Sequence, residues 1–110
     1  VDYGYFKNNN NFTLQAVQNH KYSNILENIG EKDISSHVNF EVFRDIAENH
    51  NLKIDEYCTQ REFLIKYGIK ERKKNLINSK NITNINLAID RLINKKQMGD
   101  LFKFIVISNL

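Results

Sequence analysis

Leu101-Phe102-Lys103-Phe104-Ile105-Val106-Ile107 is a nearly continuous apolar run with the length of a fully buried β-strand. Two other segments also read as strands. Val1-Asp2-Tyr3-Gly4-Tyr5-Phe6 looks like the end of a buried strand entering a turn, with Gly4 able to take φ > 0. Leu52 and Ile54 alternate with Lys53 and Asp55, which predicts a short strand through about Cys58. A half-exposed strand is expected over Phe12 to Val17, where Phe12, Leu14 and Ala16 alternate with polar neighbours.

Helix signals fill the space between these strands. Asn39 is placed to cap a helix from Phe40 to about Asn49, with Glu41 near the positive end of its dipole. Thr59-Gln60-Arg61-Glu62 is a capping box opening a helix that Gly68 ends, and a basic helix follows from Lys70 to about Asn78. Thr83 is expected to cap the next helix, whose buried face would be Ile85, Ala88, Ile89, Leu92 and Ile93. Asn8 to Asn11 reads as a polar loop, Asn24 to Ser36 as irregular with a turn at Gly30, and Met98-Gly99 as a turn. The order of elements argues a mixed α/β fold.

Composition narrows the function classes. With 110 residues, 41% hydrophobic and 26% charged, the chain fits one small globular domain. No run of 18 apolar residues exists, so no membrane span is expected, and the opening VDYGYFKNNNN has no signal-peptide core. Cys58 is the only cysteine, and no Cys/His cluster has metal-ligand spacing. A reducing bacterial cytoplasm is the expected location, which makes the sequons at Asn11 and Asn81 uninformative. The net charge of +3 suggests solubility more than a partner. The four glycines, Gly4, Gly30, Gly68 and Gly99, each lie more than 25 residues from the next. A glycine-rich loop that would bring backbone N–H groups against a nucleotide is therefore absent from this sequence.

Five blocks in order give the chain a family likeness. These are Val1-Asp2-Tyr3-Gly4-Tyr5, Thr13-Leu14-Gln15-Ala16 with His20-Lys21, Asp33-Ile34-Ser35-Ser36-His37-Val38-Asn39-Phe40, Thr59-Gln60-Arg61-Glu62-Phe63-Leu64 with Gly68-Ile69, and Gln97-Met98-Gly99-Asp100-Leu101-Phe102-Lys103. Together they resemble the MidA family of class I S-adenosylmethionine-dependent methyltransferases, over essentially the whole chain. The resemblance implies the carboxyl-terminal part of a Rossmann-like fold, with residues 1–110 as one segment and the cofactor-binding half absent. Val1 to Phe6 would end the fifth strand of a seven-stranded sheet, and the runs after Leu52 and Leu101 would be the last two strands. It also implies a protein arginine methyltransferase whose mitochondrial relative serves respiratory complex I assembly by methylating a core subunit. S-adenosylmethionine would be the cofactor of the full-length enzyme, and the segment alone would bind none and be inactive. Where family members often carry Arg near Gln18 and Asp at Asn39, this sequence is uncharged, which weakens any contact relying on those charges.

In such an enzyme an arginine acceptor stays charged, and a carboxylate would orient its guanidinium by paired hydrogen bonds. Asp2, read as lying at the carboxyl end of its strand, and Asp33, in a loop folding over the same edge, are the candidate catalytic, acceptor-orienting groups. Tyr3, Gly4, Tyr5, His20 and His37 are the candidate substrate-binding residues. No cofactor-binding or metal residue is expected. The expected partners are the missing amino-terminal half, a protein substrate such as a complex I core subunit, and a second copy joined through an exposed sheet edge. Two other readings stand beside this one. One is a non-catalytic remnant or interaction module of a split gene. The other is a small basic nucleic-acid-binding domain using Lys66, Lys70, Arg72, Lys73 and Lys74, against which counts the lack of interleaved aromatics.

Overall fold

The computed structural model describes residues 1–7 and 10–109, so the loop expected at Asn8 to Asn11 lies partly outside the described residues. The chain runs β1 (Asp2–Tyr5), β2 (Gln15–Gln18), β3 (Lys21–Ser23), β4 (Asp33–Ser35), β5 (Val38–Asn39), α1 (Phe40–Asn49), β6 (Lys53–Thr59), α2 (Gln60–Lys66), α3 (Ile69–Leu76), α4 (Ile82–Ile93), α5 (Met98–Leu101) and β7 (Phe102–Ser108). The larger sheet has the order β5-β1-β7-β6. Its last strand, β7, is inserted between β1 and β6 and runs antiparallel to both, while β5 lies parallel to β1. A smaller antiparallel sheet has the order β3-β2-β4.

Local chemistry explains most of the helix ends. The Asn39 side chain accepts from the Glu41 amide at 3.1 Å, as its position before α1 requires. Thr59 and Glu62 exchange both bonds of the capping box at the start of α2. Gly68 follows α2 with φ +88°, where a side chain would be strained, and starts α3 directly. From α2, Gln60 Nε2 and Arg61 donate to the carbonyls of Leu92 and Ile93 at 2.9 and 2.7 Å. They thereby satisfy the exposed end of α4, where the dipole favours a cation.

Several expectations are corrected. Gly4 does not turn the chain; it lies within β1, and Asp2 opens that strand where it was expected to close it. Pairing with Phe102 and Lys103 on one side and with Val38 and Asn39 on the other carries the strand on through Tyr5. The strand expected over Phe12 to Val17 forms only at Gln15–Gln18, where it has partners; β4 occupies part of the stretch read as irregular, and β3 forms just before it, where no element was expected. Thr83 does not cap α4. Asn78 accepts from the amides of Lys80 and Asn81, and the helix starts at Ile82, two residues before the start that a cap at Thr83 would give. Met98-Gly99 is the start of the short helix α5, where a side chain on Gly99 would strike the carbonyl group of Ile93.

Burial also differs from the expectation. Neither β7 nor α4 is fully buried: Val106 and Ile107 are 38% and 39% exposed, Ala88 is exposed, and α4 buries no residue. The buried apolar residues among those described are Ala16, Phe40, Ala47 and Ile69, and no large side chain is fully enclosed. The molecule is a slab of 49 × 44 × 22 Å with a radius of gyration of 17.6 Å. A self-contained domain of this length would have a radius near 13 Å.

Candidate functional site

A cavity of about 420 Å³ opens where β1 faces the smaller sheet. From β1 it takes Asp2 and Tyr3, and from the segment between β4 and β5 it takes Ser36 and His37. Gln15, Tyr22 and Ser35 line it from the three strands of the smaller sheet, and Leu101 closes it from the end of α5. The cross-strand register fixes these groups. Tyr3 is paired with Phe102, and their rings lie 4.1 Å apart at 41°. The His37 ring also neighbours Tyr3, with ring centroids 6.3 Å apart and planes within 21°. The amide of His37 donates to Thr13 Oγ1 at 3.1 Å, which ties this segment to the chain before β2. Gln15 Nε2 donates to Ser35 Oγ at 3.2 Å across a register pair.

The Asp2 carboxylate accepts from the Tyr3 amide at 2.8 Å and has no ion-pair partner among the described residues. Lys103 is its register partner on β7, but the ammonium is engaged elsewhere. It donates to the Asp100 carbonyl and lies 5.5 Å from the centre of the Phe6 ring, and burial pushes its pKa below the usual lysine value. Asp2, with its carboxylate unneutralised among the described residues, thus lines the same cavity as Tyr3 and His37. A flat cation suits that set of groups, because its edge can donate paired hydrogen bonds to a carboxylate and its face can stack on an aromatic ring.

Of the seven residues singled out from the sequence, the structure brings Asp2, Tyr3 and His37 into one cavity. Asp33 lies in β4 and lines a separate depression with Gln18, Gly30 and Lys32. His20 is exposed in the two-residue turn between β2 and β3, where Asn19 and His20 take φ +50° and +61°. Gly4 packs against Phe40, and Tyr5 pairs with Asn39. Gln15, Tyr22, Ser35, Ser36 and Leu101 are lining residues that the sequence reading did not single out. The Asn-led turn was the available signal for Tyr22, since it folds β3 back on β2.

Cys58 is half-buried, and burial, with Glu56 and Glu62 nearby, raises its thiol pKa, the opposite of what a nucleophile needs. Among the described residues no group of three or more His, Cys, Asp or Glu could hold a metal ion, and no helix is long and apolar enough to cross a membrane.

Comparison with known proteins settles the family. Residues 1–58 match a family described as "Putative S-adenosyl-L-methionine-dependent methyltransferase". The chain belongs to this family. Its relatives include the mitochondrial protein arginine methyltransferase NDUFAF7 of Danio rerio, 31% identical over 113 residues, covering 99% of this chain and 26% of that protein. The NDUFAF7 homolog of Caenorhabditis elegans is 34% identical over 77 residues, covering 70% of this chain and 18% of that one. The chain therefore spans about a quarter or less of the length of these relatives. Two crystal structures of COG1565 superfamily proteins from Burkholderia thailandensis share the fold at 24% identity. One superposes with a TM-score of 0.89 over 98% of this chain and 31% of that one. The other, bound to S-adenosyl-homocysteine, gives 0.86 over 98% and 30%. The methyltransferase family and the mixed α/β, Rossmann-like architecture expected from the sequence are both present.

Proposed function

We propose that this chain is the carboxyl-terminal segment of a protein arginine methyltransferase, that it holds the acceptor arginine, and that it is inactive without the cofactor-binding half. The observation that carries the reading is that Asp2, without an ion-pair partner among the described residues, lines one cavity with Tyr3 and His37, whose ring planes lie within 21°. Methyl transfer to nitrogen is an in-line displacement whose rate comes largely from holding the reacting atoms at near-attack distance. Asp2 accepts from the guanidinium edge and fixes its plane, while Tyr3, braced by Phe102, supplies the surface on which that plane rests.

The residues of this chain do not fit the cofactor. Gly4 is filled against by Phe40 and the Val38 carbonyl, and Gly99 by the backbone of Ile93. Gly30 and Gly68 stand alone in separate turns, so no two glycines combine into a cradle. In this proposal residues outside 1–110 hold S-adenosylmethionine, which supplies the methyl group. The slab-like shape and the exposed faces of β7 and α4 support a segment that shares its core with another part of the enzyme. In this proposal the enzyme works in a reducing compartment such as a bacterial cytoplasm, where Cys58 stays a thiol.

The test is a chimera joining this chain to the cofactor-binding region of the Danio rerio relative, with a complex I core subunit as acceptor. Transfer of a labelled methyl group to arginine is expected from the chimera and not from residues 1–110 alone. Asp2→Asn should lower kcat/KM about 10²-fold, with a smaller effect from Asp33→Asn. Equal losses, or none from Asp2→Asn, would refute the assignment.

A further inference from the structure

A second site lies on the helical hairpin of α3 and α4, where a cleft of about 550 Å³ separates the two helices. Lys70, Lys73 and Lys74 form one wall; their i, i+3, i+4 spacing puts them on a single face of α3. Ile89 and Ile93, one turn apart on α4, form the other, and Ile77 closes the end beyond α3. No carboxylate lines the cleft, and none of the three lysines has an ion pair among the described residues. The result is an apolar floor with an uncompensated positive rim, to which the lysine stems add methylene surface.

That combination selects among partners. A single-stranded nucleic acid calls for base-stacking rings, and no aromatic side chain lines this cleft, while the phosphates of a duplex would use the lysines but leave the isoleucine floor unmatched. A bilayer needs apolar groups that protrude, whereas Ile77, Ile89 and Ile93 are half-buried in a concavity. A helix laid between two helices meets both features, with apolar anchors on the isoleucines and carboxylates against the lysines. We infer that the cleft between α3 and α4 docks an acidic amphipathic helix of a partner protein. The inference uses no residue of the Asp2 cavity, and its α4 residues are the half-buried Ile89 and Ile93, not the exposed Ile82 and Leu87.

The experiment is fluorescence anisotropy with a labelled synthetic helix bearing leucines at i, i+3, i+4 and i+7 and glutamates on both flanks. Saturable binding is expected, weakened about tenfold or more by Lys70→Glu combined with Lys73→Glu and Lys74→Glu. These side chains lie on the surface, and circular dichroism checks that the fold is kept. Ile89→Ala should weaken binding without changing its salt dependence. A scrambled peptide of the same composition should bind about tenfold more weakly, because only the stripe matches the floor. Equal binding of the scrambled peptide would reduce the cleft to a charge patch and overturn the proposal. So would failure of the helix to bind while anionic vesicles or duplex DNA do. A dimer that the lysine reversals dissociate would place a second copy of the chain there and overturn it as well.

Discussion

Phe40 rests on the α-carbon of Gly4, so that a β-carbon built there would stand 2.5 Å from two carbons of its ring. The Val38 carbonyl crowds the same point from the paired strand. This contact sets how closely α1 and β5 approach β1, and therefore where Asp2, Tyr3 and His37 meet.

Gly4→Ala should accordingly destabilise the chain by about 1–3 kcal/mol, the usual cost of overpacking a well-filled contact. The urea midpoint measures it. Because β1 also carries two residues of the cavity, the same change should lower acceptor binding in the chimera.

Thr59→Ala removes the hydroxyl that accepts from the Glu62 amide and donates to its carboxylate, keeps the backbone bond from residue 59 to that carboxylate, and should cost about 0.5–2 kcal/mol. Thr59→Ser keeps an acceptor oxygen and should recover most of the loss in the same unfolding measurement. The expected pattern is a lowered midpoint with an unchanged slope.

Acid should unfold the chain partly through Glu56. Its carboxylate accepts from Lys66 and from the Tyr67 hydroxyl, and these bonds hold its pKa below the usual glutamate value. A depressed folded-state pKa means that the unfolded chain takes up the proton first as pH falls. The contribution is thus complete above the ordinary carboxylate range and disappears as pH drops through the folded value. Glu56→Gln should flatten the acid limb of a stability-versus-pH curve and leave its neutral and alkaline parts parallel to wild type.

Gln60 is buried, and its side-chain amide satisfies the Leu92 carbonyl. Gln60→Leu would leave that carbonyl without a partner, for a cost of about 1–3 kcal/mol. Amide exchange should then quicken first in the last turn of α4.

What the sequence revealed follows from where its signals are local. The Thr59–Glu62 box, the Asn39 cap and the Gly68 stop are encoded within a few residues, and each stands where it was read. Strands β3 and β4 are three residues each, largely polar and exposed, so alternation had nothing to register. Gly4 and Gly99 looked like turn residues because sequence cannot distinguish a glycine that bends the chain from one that makes room for a neighbour. Tyr3 and His37 were found with Asp2, but Gln15 and Tyr22 reach the cavity only through the register of the smaller sheet.

The most direct test of the central claim is calorimetric titration of S-adenosyl-homocysteine into the 110-residue chain and into the chimera. Saturable heat from the chimera and none from the chain alone is the predicted result. Saturable, one-to-one binding by residues 1–110 alone would contradict it, because these residues would then hold the cofactor without any glycine-rich loop.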